Sequence, residues 1–292
     1  DLPQFVVMGT PIADCCGGQG AHGANYLGPE HDGVQLDVNP DRPLPFATPG
    51  GALYREEQKG QFQLLEQLNQ VTASLHPDDA NLRARIKSYR LAYRMQMAVP
   101  EVMQFDSETK STQSGYGLDN KTTRTFGQQC LAARRMVERG VRFVQIFHGS
   151  NGGAGRWDGH SNLQTGHGKL CQETDQPIAA LIKDLKTRGL LDQTLVVWGT
   201  EFGRTPGAQN SNGRDHHPYG FSIWMAGGGL KGGIAHGATD ELGFHAVENR
   251  HYITDVHATV MKQLGLDAKR LEIPGRKRLE IDYGQPIDAL IA

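Results

Sequence analysis

The 292-residue chain has no apolar run near the ~20 residues that a membrane-spanning helix needs, so no membrane span is expected in it. It also lacks an excess of charge of either sign. Its 30 basic residues face 32 acidic ones, for a formal net charge of −2. Nucleic-acid binding through a basic face requires such an excess or a stripe, and is not expected. Cysteine is scarce. Cys15, Cys16, Cys130 and Cys171 form no Cys-x-x-Cys pair, and four scattered thiols define neither a disulfide framework nor a redox compartment. No histidine can be assigned as partner to Asp14-Cys15-Cys16, which favours a structural role there. The sequence shows no internal repeat, no low-complexity tract and no signal peptide. It begins at Asp1 and passes almost directly into the strand-like Phe5-Val6-Val7-Met8, which reads as a piece of something longer.

Glycine and histidine are plentiful instead. The 37 glycines run at about twice the usual ~7%. The apolar content stays in the ordinary globular range, so the excess is not a signature of disorder. A chain of this length can bury a full core without disulfides. Nine of the 12 histidines fall between His148 and His257.

Two portions differ in pattern. Residues 1–125 are loop-rich and helical. Their first fifty residues are dense in Gly and Pro, with a turn-favouring Asn39-Pro40. Phe62, Leu65, Leu68, Val71 and Leu75 then recur at helical spacing. Asp78 and Asp79 can cap a second helix carrying Leu82, Ile86, Tyr89 and Tyr93, and Pro100 is expected to end it. Residues 107–123 read as a polar surface loop. In residues 126–292 helix and strand alternate. A helix over 126–139 ends at Gly140, and a strand over 141–147 follows. A long amphipathic helix with Ile178, Leu181, Ile182 and Leu185 closes at Gly189. Strands over 194–198 and 221–225 follow, and Thr254 is expected to cap a last helix. Gly227-Gly228-Gly229 lacks the Lys-Ser/Thr of a phosphate loop and reads as a tight chain reversal. The alternation predicts an α/β fold with a largely parallel sheet.

In open α/β sheets, ligands bind in loops at the carboxyl ends of strands. Three such loops hold dense polar clusters: His148 through Trp157-Asp158-Gly159-His160, then Glu201-Phe202-Gly203-Arg204, then Arg214-Asp215-His216-His217. Imidazole with carboxylate suits Zn, Mn or Fe. Asp158 and His160 stand two apart, so on an extended loop they point the same way. Glu201 leaves a strand end, and Asp215 and His216 offer further donors. Arg204 and Arg214 carry guanidiniums that match phosphate or sulfate oxygens. The plainer readings are a local Arg214–Asp215 ion pair, a helix cap at Glu201, and surface histidines at 216 and 217. His236, after a glycine turn, is a weaker pocket candidate, and His257 reads as part of the last helix.

Three stretches together resemble the DUF1501 family: Thr194-Leu-Val-Val-Trp-Gly-Thr-Glu-Phe-Gly-Arg-Thr-Pro206, Gly213-Arg-Asp-His-His-Pro218 and Met225-Ala-Gly-Gly-Gly-Leu-Lys-Gly-Gly233. Trp157-Asp-Gly-His160, Ala238-Thr-Asp-Glu-Leu-Gly243 and the Asp255-Val-His-Ala-Thr helix fit the same resemblance. It is specific over residues 141–275 and looser over 1–125. The resemblance implies a sulfatase-like protein of the alkaline phosphatase superfamily: a three-layer α/β sandwich forming a single domain, here lacking its N-terminal part. It also implies export from the cytoplasm. No Cys/Ser-x-Pro-x-Arg signature is present, so no nucleophile is named.

The resulting expectation is metal-dependent hydrolysis of a sulfate or phosphate ester, on a small molecule or a glycan. A divalent ion (Zn, Mn or Ca) would be held by Asp158, His160, Glu201 and His216, with Asp215 a further ligand or an orienting group. Arg204, Arg214 and His148 would form the catalytic set. The alternative is a non-catalytic extracellular protein that holds a glycan or a partner on the same fold. A degenerate, structural site is expected if the proposed ligands lie more than ~10 Å apart, because each must sit ~2 Å from one ion.

Overall fold

In a computed structural model the structure describes residues 2–9, 18–39, 54–149, 155–278 and 281–292. Cys15, Cys16 and part of the Pro-rich early segment lie outside them. The chain forms two compact units. One comprises residues 1–158 and 170–181, the other 159–169 and 182–292. No helix among the described residues is long and apolar enough to cross a membrane.

The first unit is built on a three-stranded parallel sheet. Strand β1 (Phe5–Met8) lies between β2 (Val34–Leu36) and β3 (Phe143–Ile146). Val6 pairs with Val34 on one side and Val144 on the other. Val6, Val7 and Met8 are fully buried, as expected for a central parallel strand covered on both faces, where apolar residues run on without alternation.

Helices follow in the same unit. Helix α1 (Arg55–Leu75) is the amphipathic segment read from the sequence. Helix α2 (Ala80–Met103) starts at its expected cap, where the Asp79 carboxylate accepts from the Leu82 amide at 2.9 Å. It does not stop at Pro100 but runs three residues further. A proline this close to a helix end removes a single ladder bond, so the last turn survives. The segment expected to be a polar loop contains helix α3 (Lys110–Gly115), capped by the Thr109 hydroxyl, and ends on the buried Tyr116. Helix α4 (Arg124–Glu138) turns Cys130, Leu131, Ala132 and Met136 into the core, where they join Val99, Val102, Met103, Tyr116 and β1.

Two arginines on α4 are buried as well. Arg134 Nη2 lies 2.8 Å from Glu108 Oε1, and Arg134 Nη1 lies 2.6 Å from Glu138 Oε2. Arg135 also bonds Glu108 and donates to the Glu101 carbonyl at 2.8 Å. Burial alone would raise the Glu108 pKa. The two guanidiniums outweigh it and hold the carboxyl below its ordinary value. The expected long helix is α5 (Leu163–Thr187), whose middle belongs to this unit.

In the second unit the pairing is antiparallel rather than parallel. Strand β4 (Val196–Trp198) precedes a short ladder of β5 (Gly203–Arg204) with β6 (His216–His217). Strand β4 itself pairs antiparallel with β7 (Trp224–Ala226). Strands β8 (Ala238–Thr239) and β9 (Ala246–Glu248) form a further antiparallel pair. The expected reversal after β7 is present: Gly227, Gly228 and Gly229 all have positive φ. A Cβ on Gly227 would meet the Leu191 and Thr194 carbonyls at 2.4 Å, so only glycine fits there. Helix α6 (Ile253–Gln263) begins one residue before Thr254. Its cap is Tyr252, whose amide donates to the Asp255 carboxylate at 3.0 Å. Thr254 lies inside the first turn.

Candidate metal centre

The site is assembled by a loop that grips the chain just ahead of α5. Within 209–214, Gln209 and Gly213 exchange backbone bonds of 2.8 Å. That closed loop then holds residues 159–163. The Arg214 amide donates to the Gly159 carbonyl at 3.0 Å, and the Asn162 amide donates to Asn212 Oδ1 at 2.8 Å. Asn210 Nδ2 donates to the His160 carbonyl at 3.3 Å. Gly213 makes this approach possible, because a Cβ there would lie 2.0 Å from the His160 carbonyl oxygen.

The same loop leads into β6. In the β5–β6 ladder, Arg204 faces His216 and Gly203 faces His217. Successive strand residues point to opposite sides, and the two histidines have different fates. His217 is buried and bonds the Phe244 carbonyl. His216 is exposed and packs on the Phe202 ring at 4.2 Å between centroids. The His160 and His216 rings are 4.9 Å apart.

Asp158, His160 and His216 each offer a ligand atom, and the three atoms lie within 4.8 Å of one another. His160 Nδ1 lies 2.5 Å from Gln209 Oε1. An amide oxygen only accepts, so Nδ1 carries the proton and Nε2 carries the lone pair of the ring. Such a bond fixes the tautomer and orientation of a ligating imidazole. Two imidazoles and one carboxylate within this span fit a divalent first-row ion, which at ~2.0–2.2 Å from each donor needs closure of about 1 Å or less. Among the described residues the group holds three donors, and a metal with three protein ligands keeps a coordination position for water or another group. For Asp158, His160 and His216 the separation of more than ~10 Å expected of a degenerate site is not found.

The other predicted residues are placed as follows. Asp215 Oδ1 lies 3.9 Å from His160 Nδ1 and accepts from the His216 amide at 2.8 Å, beside the triad. Glu201 is not in the group of donor atoms. Its carboxylate accepts from the Thr200 hydroxyl at 2.8 Å, and no helix starts there to be capped. Arg204 lies over the Phe202 ring at 5.8 Å and reaches the Arg214 carbonyl at 3.4 Å. Arg214 bonds the Gly213 carbonyl at 2.8 Å.

His148 lies in a hydrogen-bonded cluster within the first unit. Trp157 Nε1 donates to its Nδ1 at 3.1 Å, so Nε2 carries the proton, and Nε2 lies 3.1 Å from Glu173 Oε2. Arg156 forks onto the same carboxylate at 2.8 and 2.7 Å. Burial pushes the His148 pKa down, against the opposing pull of Glu173. The Arg156 hydrogen bonds lead the causes that hold Glu173 below its ordinary value. Gln209 and Glu173 escaped the sequence reading. Gln209 meets His160 across 49 positions and Glu173 meets His148 across 25, and neither sits in a motif.

No curated protein and no solved structure matches the chain. A family profile described as "Protein of unknown function (DUF1501)" matches residues 1–291. The resemblance read from the glycine-rich and histidine-bearing motifs therefore extends over the whole sequence, and the chain belongs to the DUF1501 family.

Proposed function

We propose that the protein is a metal-dependent hydrolase of sulfate or phosphate esters, built on an alkaline-phosphatase-like α/β fold and working outside the cytoplasm. The fold, the ester class and the location rest on the resemblance of the motif-bearing segments to sulfatase-like proteins. One observation carries the chemistry: Asp158, His160 and His216 bring donor atoms within 4.8 Å of one another, with Arg204 opposite His216 in the β5–β6 ladder. Asp158, His160 and His216 would hold the ion, Gln209 orients the His160 imidazole, and Asp215 stands beside the group as a further ligand or orienting residue. A bound divalent ion supplies Lewis acidity toward an ester oxygen and lowers the pKa of a coordinated water. Arg204 and Arg214 neutralise an anionic ester by bidentate hydrogen bonding. Glu201, outside the group of donor atoms, and His148, bonded to Glu173 and Trp157, are not needed for this reading.

The test is metal content of the purified protein together with turnover of aryl sulfate and aryl phosphate, with and without chelator. Expected are about one bound divalent ion per triad and hydrolysis of one ester class that stops on chelation and on His216→Ala. Ligand binding without turnover, unaffected by chelator, would instead identify a glycan- or partner-binding protein. Absence of both metal and turnover overturns the reading.

A further inference from the structure

The β8–β9 pair places a second set of metal-type donors together. In its register Ala238 faces Glu248. Continuing the two chains outward brings His236, ahead of β8, beside the residues that follow β9 and lead into α6. Gly237 allows this closure. Its φ is +88, and a Cβ there would meet the Glu248 and Asn249 carbonyls at 3.1 and 3.4 Å. At the end of the hairpin His236 Nε2 and His251 Nε2 lie 3.0 Å apart, with ring centroids at 5.1 Å.

Behind His251 stands a fixed carboxylate. Asp255 Oδ2 is 3.5 Å from His251 Nδ1. The same carboxylate accepts from the Tyr252 amide at 3.0 Å and from the Gln285 amide at 2.8 Å. It is therefore anchored at the first turn of α6 whatever His251 does.

We propose that His236 and His251 form a metal site of their own, sharing no residue with the Asp158–His160–His216 triad, for a divalent late transition-metal ion such as Zn²⁺. Two imidazole nitrogens bound at ~2.0–2.1 Å to one tetrahedral ion lie about 3.3–3.4 Å apart. At 3.0 Å, His236 and His251 are within about 0.4 Å of that spacing. Without metal, the contact is an N–H···N hydrogen bond with one proton between the two Nε2 atoms. Binding moves that proton to Nδ1 of His236 and leaves both Nε2 lone pairs to the ion, with no change in the charge of either ring. Asp255 is a positioning residue: it holds His251 with Nδ1 protonated, the carboxylate–histidine–metal arrangement. With the His251 side chain 31% exposed, water completes the coordination.

The site is tested by Zn²⁺ titration calorimetry on the full chain carrying His160→Ala and His216→Ala, which removes the triad and separates this proposal from the preceding one. One saturable Zn²⁺ equivalent is expected to remain. Adding either His236→Ala or His251→Ala removes it, while circular dichroism shows the fold retained. In the otherwise unaltered chain the same two substitutions together remove one equivalent of Zn²⁺. Asp255→Asn lowers the affinity about 10–100-fold at unchanged stoichiometry, the usual consequence of losing a carboxylate behind a ligating histidine. No saturable Zn²⁺ in the triad-deleted chain, or equal binding with and without His236 and His251, overturns the proposal.

Discussion

Substitution of Gly213 by alanine puts the assembly of the metal centre to a quantitative test. The added Cβ would sit 2.0 Å from the His160 carbonyl oxygen, 2.1 Å from its carbon and 2.6 Å from the Ser161 nitrogen. All three are backbone atoms, so no side-chain rotation relieves the clash. Ordinary contact begins near 3.4 Å, which requires the loop and the His160 backbone to part by about 1.4 Å. Overpacking of this kind costs about 1–3 kcal/mol. The displacement also exceeds the ~0.2 Å tolerance of metal–ligand distances severalfold. His160 and His216, joined through this loop, then cannot serve one ion.

The assay is thermal unfolding with and without added Zn²⁺, alongside direct titration. A ligand at a hundred times its dissociation constant stabilises the native state by about 2.7 kcal/mol. Gly213→Ala is expected to lower the melting temperature without metal. It should also lose that increment at the triad and weaken metal affinity by at least the 10–100-fold typical of disturbed supporting groups. Gly207→Ala is the control. It lies in the same β5–β6 connection, a Cβ there meets nothing within 4 Å, and its φ is not positive. It should behave as the wild type does. If Gly213→Ala binds metal as tightly as Gly207→Ala, the grip of the 209–214 loop on His160 is not what builds the site.

Three further outcomes follow from buried groups in the first unit. Glu108→Gln leaves Arg134 and Arg135 buried without their shared carboxylate, and should cost about 3–5 kcal/mol in urea unfolding; a loss under 1 kcal/mol would mean that water reaches the pair. Burial depresses the His148 pKa, so below the ordinary ~6.5 of histidine the unfolded chain binds a proton that the native one refuses. Stability should therefore fall as pH drops from 7 through that window, and His148→Gln should flatten the dependence; an unchanged slope would contradict it. Cys130 is fully buried with its thiol pKa pushed well up, and Cys171 is exposed. Iodoacetamide mapped by peptide mass should label Cys171 in the native protein and Cys130 only after unfolding.

What was legible in the sequence follows from where each signal resides. Strand β1 declares itself because its burial on both faces requires four apolar residues in a row. Strand β2, three residues in a Gly- and Pro-rich stretch, exists only through pairing with β1, and no local pattern encodes that. Helix α3, Lys-Ser-Thr-Gln-Ser-Gly, carries no apolar period. It is held by its Thr109 cap and by Tyr116, which packs into a core built from distant segments. The antiparallel pairing of β4 with β7 is equally invisible, since strand residues alone do not state direction.

The site divides along the same line. The ligating types were readable at Asp158, His160 and His216 because metal chemistry demands them, and the Asp-x-His spacing fixes two of the three locally. Whether Glu201 joins them depends on the course of the chain after β4, which residue type does not specify. The grip that joins the first loop to His216 is made by backbone groups and by the missing side chain of Gly213. Gly207 and Gly213 contribute identically to the glycine count, yet one lies in open space and the other lies against the His160 backbone. A glycine-rich composition therefore marks the neighbourhood of such a site, while close approach of two chain segments selects the glycine that cannot be replaced.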